Sequence, residues 1–159
     1  MVISIIREDL IRDDVMPFCP TMLKFKTQAD NGSLYNTPNC WSIYMCGLVF
    51  KWLKAQGGLT EMKKRNEEKA AILYDYLDQS AMFHGTVRKE DRSLMNVPFI
   101  TDSEELNARF IAEATKAGFV SLKGHRTVGG MRASIYNAMP KEGIQKLVDF
   151  MADFEKNNK

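Results

Sequence analysis

The stretch Lys123-Gly124-His125-Arg126-Thr127-Val128-Gly129-Gly130-Met131-Arg132 gathers two guanidinium groups, an ammonium group and an imidazole into a few turns of chain. No Asp or Glu occurs anywhere from Ala114 to Lys141, a window that also holds Lys116 and Lys141. In a chain with 22 Lys+Arg against 20 Asp+Glu, such a local surplus of cations points to an anion site. The planar fork of arginine suits that work, because it donates two parallel hydrogen bonds to a carboxylate or phosphate. Gly124, Gly129 and Gly130 let the backbone come close to a ligand. Surface cations paired with carboxylates from elsewhere in the chain fit the same spacing equally well. A second candidate is Asn36-Thr37-Pro38, where Thr37 reads as a helix cap and Pro38 as the first helical residue. A helix mouth offers free N–H groups and the positive end of a dipole to a phosphate, although a plain cap with no ligand fits too.

The remaining chemistry-bearing residues are weaker signals. His84 beside Gly85 reads as a turn residue, and Lys63-Lys64-Arg65 with Glu67-Glu68 as a solvated helix face. Trp41, Tyr44 and Trp52 at helical spacing suit a core or an interface. Cys19, Cys40 and Cys46 lack CxxC spacing and read as reduced thiols, with neither a disulfide framework nor a metal site. There is no phosphate-binding GxxxxGK[ST] loop, GxSxG elbow or HExxH pair.

A net charge of +2 is too small for a general nucleic-acid binder. The longest apolar run, Tyr44 to Phe50, falls far short of the ~20 residues that cross a bilayer. The opening Met1-Val2-Ile3-Ser4-Ile5-Ile6, followed by Arg7-Glu8-Asp9, lacks the pattern of a secretory leader. A cytoplasmic protein without nucleic-acid or membrane partners is the expectation.

The elements that must position these residues can be read from periodicity. Val2 to Ile6 reads as a short buried strand, and residues 7 to 37 show no helical period. A helix from Thr37 carries Trp41, Met45, Leu48, Val49, Trp52 and Leu53 and stops at Gly57-Gly58. Another runs from about Leu59 to Asp78. Leu94 to Ile100 reads as a strand with Met95, Val97 and Phe99 on one face, and Pro98 marks it as an edge or irregular strand. Asp102-Ser103-Glu104-Glu105 opens a third helix, with Leu106, Phe110, Ile111 and Ala114 inward and Gly118 as terminator. Phe119 to Leu122 and Met131 to Tyr136 read as strands flanking the cationic loop. Pro140 starts a last helix with the stripe Ile144, Leu147, Val148, Met151 and Phe154. The order ααβαββα from residue 38 onward indicates an α+β layer domain.

Four stretches together resemble the phosphoserine aminotransferase family. They are Gly32-Ser33-Leu34-Tyr35-Asn36-Thr37-Pro38, Gly47-Leu48-Val49-Phe50-Lys51-Trp52-Leu53, Arg92-Ser93-Leu94-Met95-Asn96-Val97-Pro98-Phe99, and Lys123 through Ala138. The likeness runs in order over essentially the whole chain, and the last block is the most specific. The resemblance implies a class V, fold type I aminotransferase that uses pyridoxal 5'-phosphate and works as a cytoplasmic homodimer. Such an enzyme interconverts 3-phosphohydroxypyruvate plus glutamate with O-phosphoserine plus 2-oxoglutarate, for serine and in many bacteria pyridoxine biosynthesis. It also implies that Asn36 and Thr37 hold the cofactor phosphate in the other subunit's site. By the same resemblance, His125 and Arg126 hold the substrate phosphate and Arg132 its α-carboxylate.

In that family the Schiff-base lysine and the partners of the cofactor ring lie upstream of the segment matching Val2 to Ile6. None of this chain's lysines takes that position. The expectation is therefore a carboxy-terminal portion, inactive alone and with no catalytic residue of its own. Residues 1–37 would be a remnant of the large domain plus a connecting segment, and 38–159 the small carboxy-terminal domain. A stand-alone anion-binding or interaction module without catalysis is the alternative reading.

Overall fold

Four phenylalanines meet at the centre of the carboxy-terminal unit. Phe110 stacks edge-on against Phe83 at 5.0 Å and Phe154 at 5.2 Å, and Phe99 meets Phe83 at 6.1 Å. Edge-to-face contacts of this kind add to the burial of the rings themselves. They are seen in a computed structural model, which describes residues 1–158. The chain divides into two units, Met1–Ala55 and Gln56–Lys159, so the expected domain limit at residue 38 lies inside the first.

The carboxy-terminal unit contains helix α3 (Gly58–Leu77), strands β1 (His84–Gly85) and β2 (Asn96–Ile100), helix α4 (Glu104–Lys116), strand β3 (Met131–Ser134) and helix α5 (Lys141–Asn157). The strands form one antiparallel sheet in the order β1-β2-β3, with Pro98 opposite Arg132 and Phe99 opposite Met131. The architecture is α+β. Val97 and Phe99 of β2 and Met131 and Ala133 of β3 turn inward, where Leu73, Leu77, Ile144, Leu147, Met151 and Phe154 of the helices cover them. Period-2 alternation leaves Asn96, Pro98, Arg132 and Ser134 on the opposite face.

Caps and polar ties fix the helix ends. Ser103 caps α4 by accepting from Leu106 N–H at 3.2 Å, and Gly118 (φ +93°) ends it as expected. Glu155 of α5 sits almost buried, accepting from Tyr76 Oη at 2.8 Å, Ser80 Oγ at 2.6 Å and Ala81 N at 3.1 Å. Burial, and then that carboxylate, push the Tyr76 phenol well above its ordinary range. This cluster ties α5 to the turn after α3.

Several expectations are corrected here. Pro98 lies on the central strand, not an edge. Its carbonyl accepts from Thr86 N at 3.4 Å, just beyond the two-residue β1, so the missing N–H falls where the β1 ladder has ended. Phe119 to Leu122 is not a strand, because Ser121 turns left-handed (φ +61°) and only a Lys123–Met131 bridge precedes β3. The order from residue 40 is therefore ααββαβα, with β1 gained early and the strand before the loop lost.

The first unit holds α1 (Phe25–Asp30), α2 (Cys40–Ala55) and two 3-10 turns at Glu8–Leu10 and Thr21–Leu23. Residues 7–37 are thus less irregular than their lack of period suggests. Val2 to Ile6 is not a strand; no ladder lies beside it, and Val2, Ile3 and Ile5 are exposed. Asn39, not Thr37, caps α2, its Oδ1 accepting from Ser42 N–H at 3.1 Å. Asparagine is at least as good a cap as threonine, and it follows the proline directly. No side chain of this unit is buried, and Trp41, Tyr44, Phe50 and Trp52 of α2 stand exposed.

Candidate anion-binding site

The cationic stretch folds as a loop closed on itself ahead of β3. Gly124 N–H donates to Gly130 O at 2.8 Å, and His125 O accepts from both Val128 N–H at 2.9 Å and Gly129 N–H at 2.8 Å. Arg132 N–H then donates to Leu122 O at 2.7 Å, which carries the pairing into the strand. Two glycines are required by close approach. A Cβ on Gly124 would lie 2.0 Å from Gly129 O, and one on Gly130 would lie 2.5 Å from Ile100 Cγ2 at φ +60°.

Lys123, His125 and Arg126 line a surface cavity of about 520 Å³ between this loop and the start of α4. Neither Lys123 nor Arg126 has an ion-pair partner among the described residues. The opposite wall contributes Glu104, Asn107, Ala108 and Ile111. Asn107 is buried and pinned, its Oδ1 accepting from Thr101 N at 2.9 Å and Thr101 Oγ1 at 3.0 Å. The acid-free window of the sequence therefore gains one carboxylate in space, that of Glu104. The cavity can hold a small anion against two side-chain cations and an imidazole, with the carboxylate of Glu104 on the facing wall.

Arg132 is placed differently. It lies on β3 opposite Pro98, on the sheet face away from the core, and its Nε is shut from water with no hydrogen-bond partner. Arg92 Nε is buried without an acceptor in the same way although Arg92 pairs with Asp78; what sets Arg132 apart is that it has no ion-pair partner among the described residues. Beside it, Asn96 Oδ1 accepts from Ser134 Oγ and Tyr136 Oη, both at 3.3 Å. Asn36 and Thr37 belong to the first unit and are exposed, Asn36 Nδ2 donating to Thr37 O at 3.2 Å. Because Asn39 caps α2, the Thr37 hydroxyl has no partner among the described residues. So His125 and Arg126 share one cavity, Arg132 lies outside its lining on the sheet face away from the core, and Asn36 and Thr37 lie in the other unit.

Three residues escaped sequence reasoning. Glu104 was visible only as a helix opener. Thr127 contacts His125, its Oγ1 lying 2.7 Å from the ring Nδ1. Lys69 is buried in α3 and donates to Ile135 O at 3.2 Å and Tyr136 O at 2.8 Å; burial pushes its ammonium below the ordinary range. A lowered lysine can mark a reactive amine. This one is closed in and spent on two carbonyls, which makes it structural. Its signal was its spacing, since Asn66, Lys69, Ala70 and Leu73 run in phase along the apolar stripe. Among the described residues there is no group of three or more metal-ligating side chains, and no helix is long and apolar enough to cross a membrane.

Residues 15–147 match the family model for aminotransferase class-V, and the chain belongs to that family. It is 52% identical over 157 residues to the phosphoserine aminotransferase of Streptococcus suis (strain 05ZYH33), covering 98% of this chain and 43% of that protein. To the phosphoserine aminotransferase of Bacillus cereus (strain ATCC 10987 / NRS 248) it is 52% identical over 159 residues, covering all of this chain and 44% of that protein. The solved phosphoserine aminotransferase from Bacillus circulans subsp. alkalophilus superposes with a TM-score of 0.90 at 45% identity, over 97% of this chain and 43% of that one. The pyridoxal-phosphate-bound phosphoserine aminotransferase from Trichomonas vaginalis gives 0.86 at 38% identity, over 92% and 42% respectively. The chain thus spans less than half the length of these relatives.

Proposed function

We propose that this chain is the part of a phosphoserine transaminase that grips the two anionic ends of the substrate. The observation that carries the reading is a pair of arginines with no ion-pair partner among the described residues, Arg126 lining the loop cavity and Arg132 on the strand that follows the loop, on the sheet face turned away from the core. A substrate with a phosphate and an α-carboxylate requires two separated cationic anchors. His125 and Arg126 hold the phosphate, and Arg132 holds the carboxylate by a two-point hydrogen bond. The intact protein interconverts 3-phosphohydroxypyruvate plus glutamate with O-phosphoserine plus 2-oxoglutarate, in the cytoplasm and as a homodimer, for serine and pyridoxine biosynthesis.

The donor set of Asn36 and Thr37 fits the phosphate of pyridoxal 5'-phosphate. Both residues are exposed, and the Thr37 hydroxyl is not used as a cap. When bound, that group supplies the electron sink for moving an amino group. No lysine of this chain is assigned to carry it, and Lys69 is excluded by its burial and its two carbonyl partners. Residues 1–37 then belong with the large domain and its connection, and 38–159 form the small domain. The uncovered apolar face of α2 supports the reading that further protein surface covers it in the intact enzyme.

The direct test is a chemical-shift titration of the ¹⁵N-labelled 159-residue chain with O-phosphoserine. Saturable shifts mapping to residues 123–132, at roughly millimolar affinity, are expected because water still competes for the guanidinium groups. Shifts confined to other residues, or none, would overturn the reading.

A further inference from the structure

We infer that Thr127 is a positioning residue of the anion site, holding the His125 ring with Nδ1 as acceptor, so that Nε2 presents a hydrogen-bond donor to the bound phosphate. This rests on the anion reading above. His125 Nδ1 lies 2.7 Å from Thr127 Oγ1 and 3.3 Å from the Thr127 main-chain nitrogen. A main-chain N–H can only donate, so this longer contact favours a lone pair on Nδ1 without fixing it. The hydroxyl, which can play either role, then adds a second donor to the same atom. A neutral ring whose Nδ1 accepts carries its proton on Nε2, and Nε2 has no partner among the described residues.

The backbone beneath the ring is fixed as well, since His125 O accepts from both Val128 and Gly129 N–H. Thr127 does not itself line the cavity, whereas His125 lines it with Lys123 and Arg126, and α4 brings Glu104 to the facing wall. Thr127 therefore acts through His125. The opposite tautomer would turn a lone pair toward a phosphate oxygen and repel it. With Nδ1 held, the ring joins Arg126 as a donor.

The test reads the ring directly. Imidazole ¹⁵N spectra of the full chain, recorded at pH ~8 and so above the ordinary histidine range near 6.5, are compared for wild type, Thr127→Val and Thr127→Ser. His84, which is bonded to Asp102 and outside this cavity, serves as internal reference. Inorganic phosphate is titrated into all three proteins. In wild type, Nδ1 should resonate as an unprotonated nitrogen and Nε2 as a protonated one. Thr127→Val removes the 2.7 Å hydroxyl contact and leaves only the longer main-chain one, so it should move both part of the way toward the averaged values of mixed tautomers and weaken phosphate by about fivefold, the effect of one ordinary hydrogen bond. Thr127→Ser should keep the wild-type spectrum and affinity. A wild-type Nδ1 that carries the proton, an unchanged spectrum in Thr127→Val, or no rescue by serine would each overturn the positioning role. Failure of wild type to bind phosphate at all would instead overturn the anion reading, whatever the tautomer.

Discussion

The Lys69 ammonium donates to the Tyr136 carbonyl at 2.8 Å from inside the carboxy-terminal unit, and to Ile135 O at 3.2 Å. Helix α3 thereby grips the chain just beyond β3, the strand that carries Arg132. Tyr136 O also accepts from Met139 N–H at 2.9 Å, so Ile135 O is the group with most to lose. Lys69→Met should leave that carbonyl unpaired in the interior and cost about 1–2 kcal/mol. Urea unfolding of the two proteins measures this; an unchanged midpoint would show that the contact contributes nothing.

Asp78 at the end of α3 is held by Arg92 through two contacts of 2.5 and 2.9 Å, and by Lys89 at 3.1 Å. The Arg92 guanidinium, then Lys89, keep its carboxyl well below the usual range. The unfolded chain takes up the proton first, near the ordinary aspartate value of about 3.9. The stabilisation is therefore complete above that range and is lost as pH falls toward the lower folded-state value. Wild type should exceed Asp78→Asn in stability at neutral pH, and the gap should narrow as pH drops below about 4. A gap that stays constant down to acid unfolding would contradict the pairing.

Unpartnered apolar surface on the first unit should drive self-association of the 159-residue chain, since Trp41 and Phe50 are 71% and 53% exposed with no buried residue in that unit. Sedimentation velocity at rising concentration should show dimers or larger species. Replacing Trp41 and Phe50 by serine should shift the distribution toward monomer, and a wild-type monomer at every concentration would refute the expectation.

The carboxy-terminal unit was legible wherever a strong period met a clear stop. The stripe from Ile144 to Phe154, the Ser103 cap and Gly118 all stand where the residues put them. The errors share a physical origin, because each depended on a partner that spacing cannot reveal. Pro98 is tolerated on a central strand since β1 is only two residues long, and Val2 to Ile6 lacks a ladder to join. The cationic loop was legible as a cluster of charge; its glycines at 124 and 130, expected to admit a ligand, are required by the close approach of Gly129 O and Ile100. Glu104 reaches the cavity from a different element, and Thr127 matters only through a 2.7 Å contact with His125, so neither could be read from charge or periodicity.

The division of labour between the arginines is tested most directly by two ligands against two variants. Inorganic phosphate and O-phosphoserine are titrated by NMR into wild type, Arg126→Ala and Arg132→Ala. Arg126→Ala should weaken both ligands, because it removes the phosphate anchor that they share. Arg132→Ala should leave inorganic phosphate unchanged and abolish the extra affinity that the carboxylate gives O-phosphoserine. If both variants bind both ligands like wild type, or if Arg132→Ala weakens the two equally, the assignment of phosphate to Arg126 and carboxylate to Arg132 is wrong.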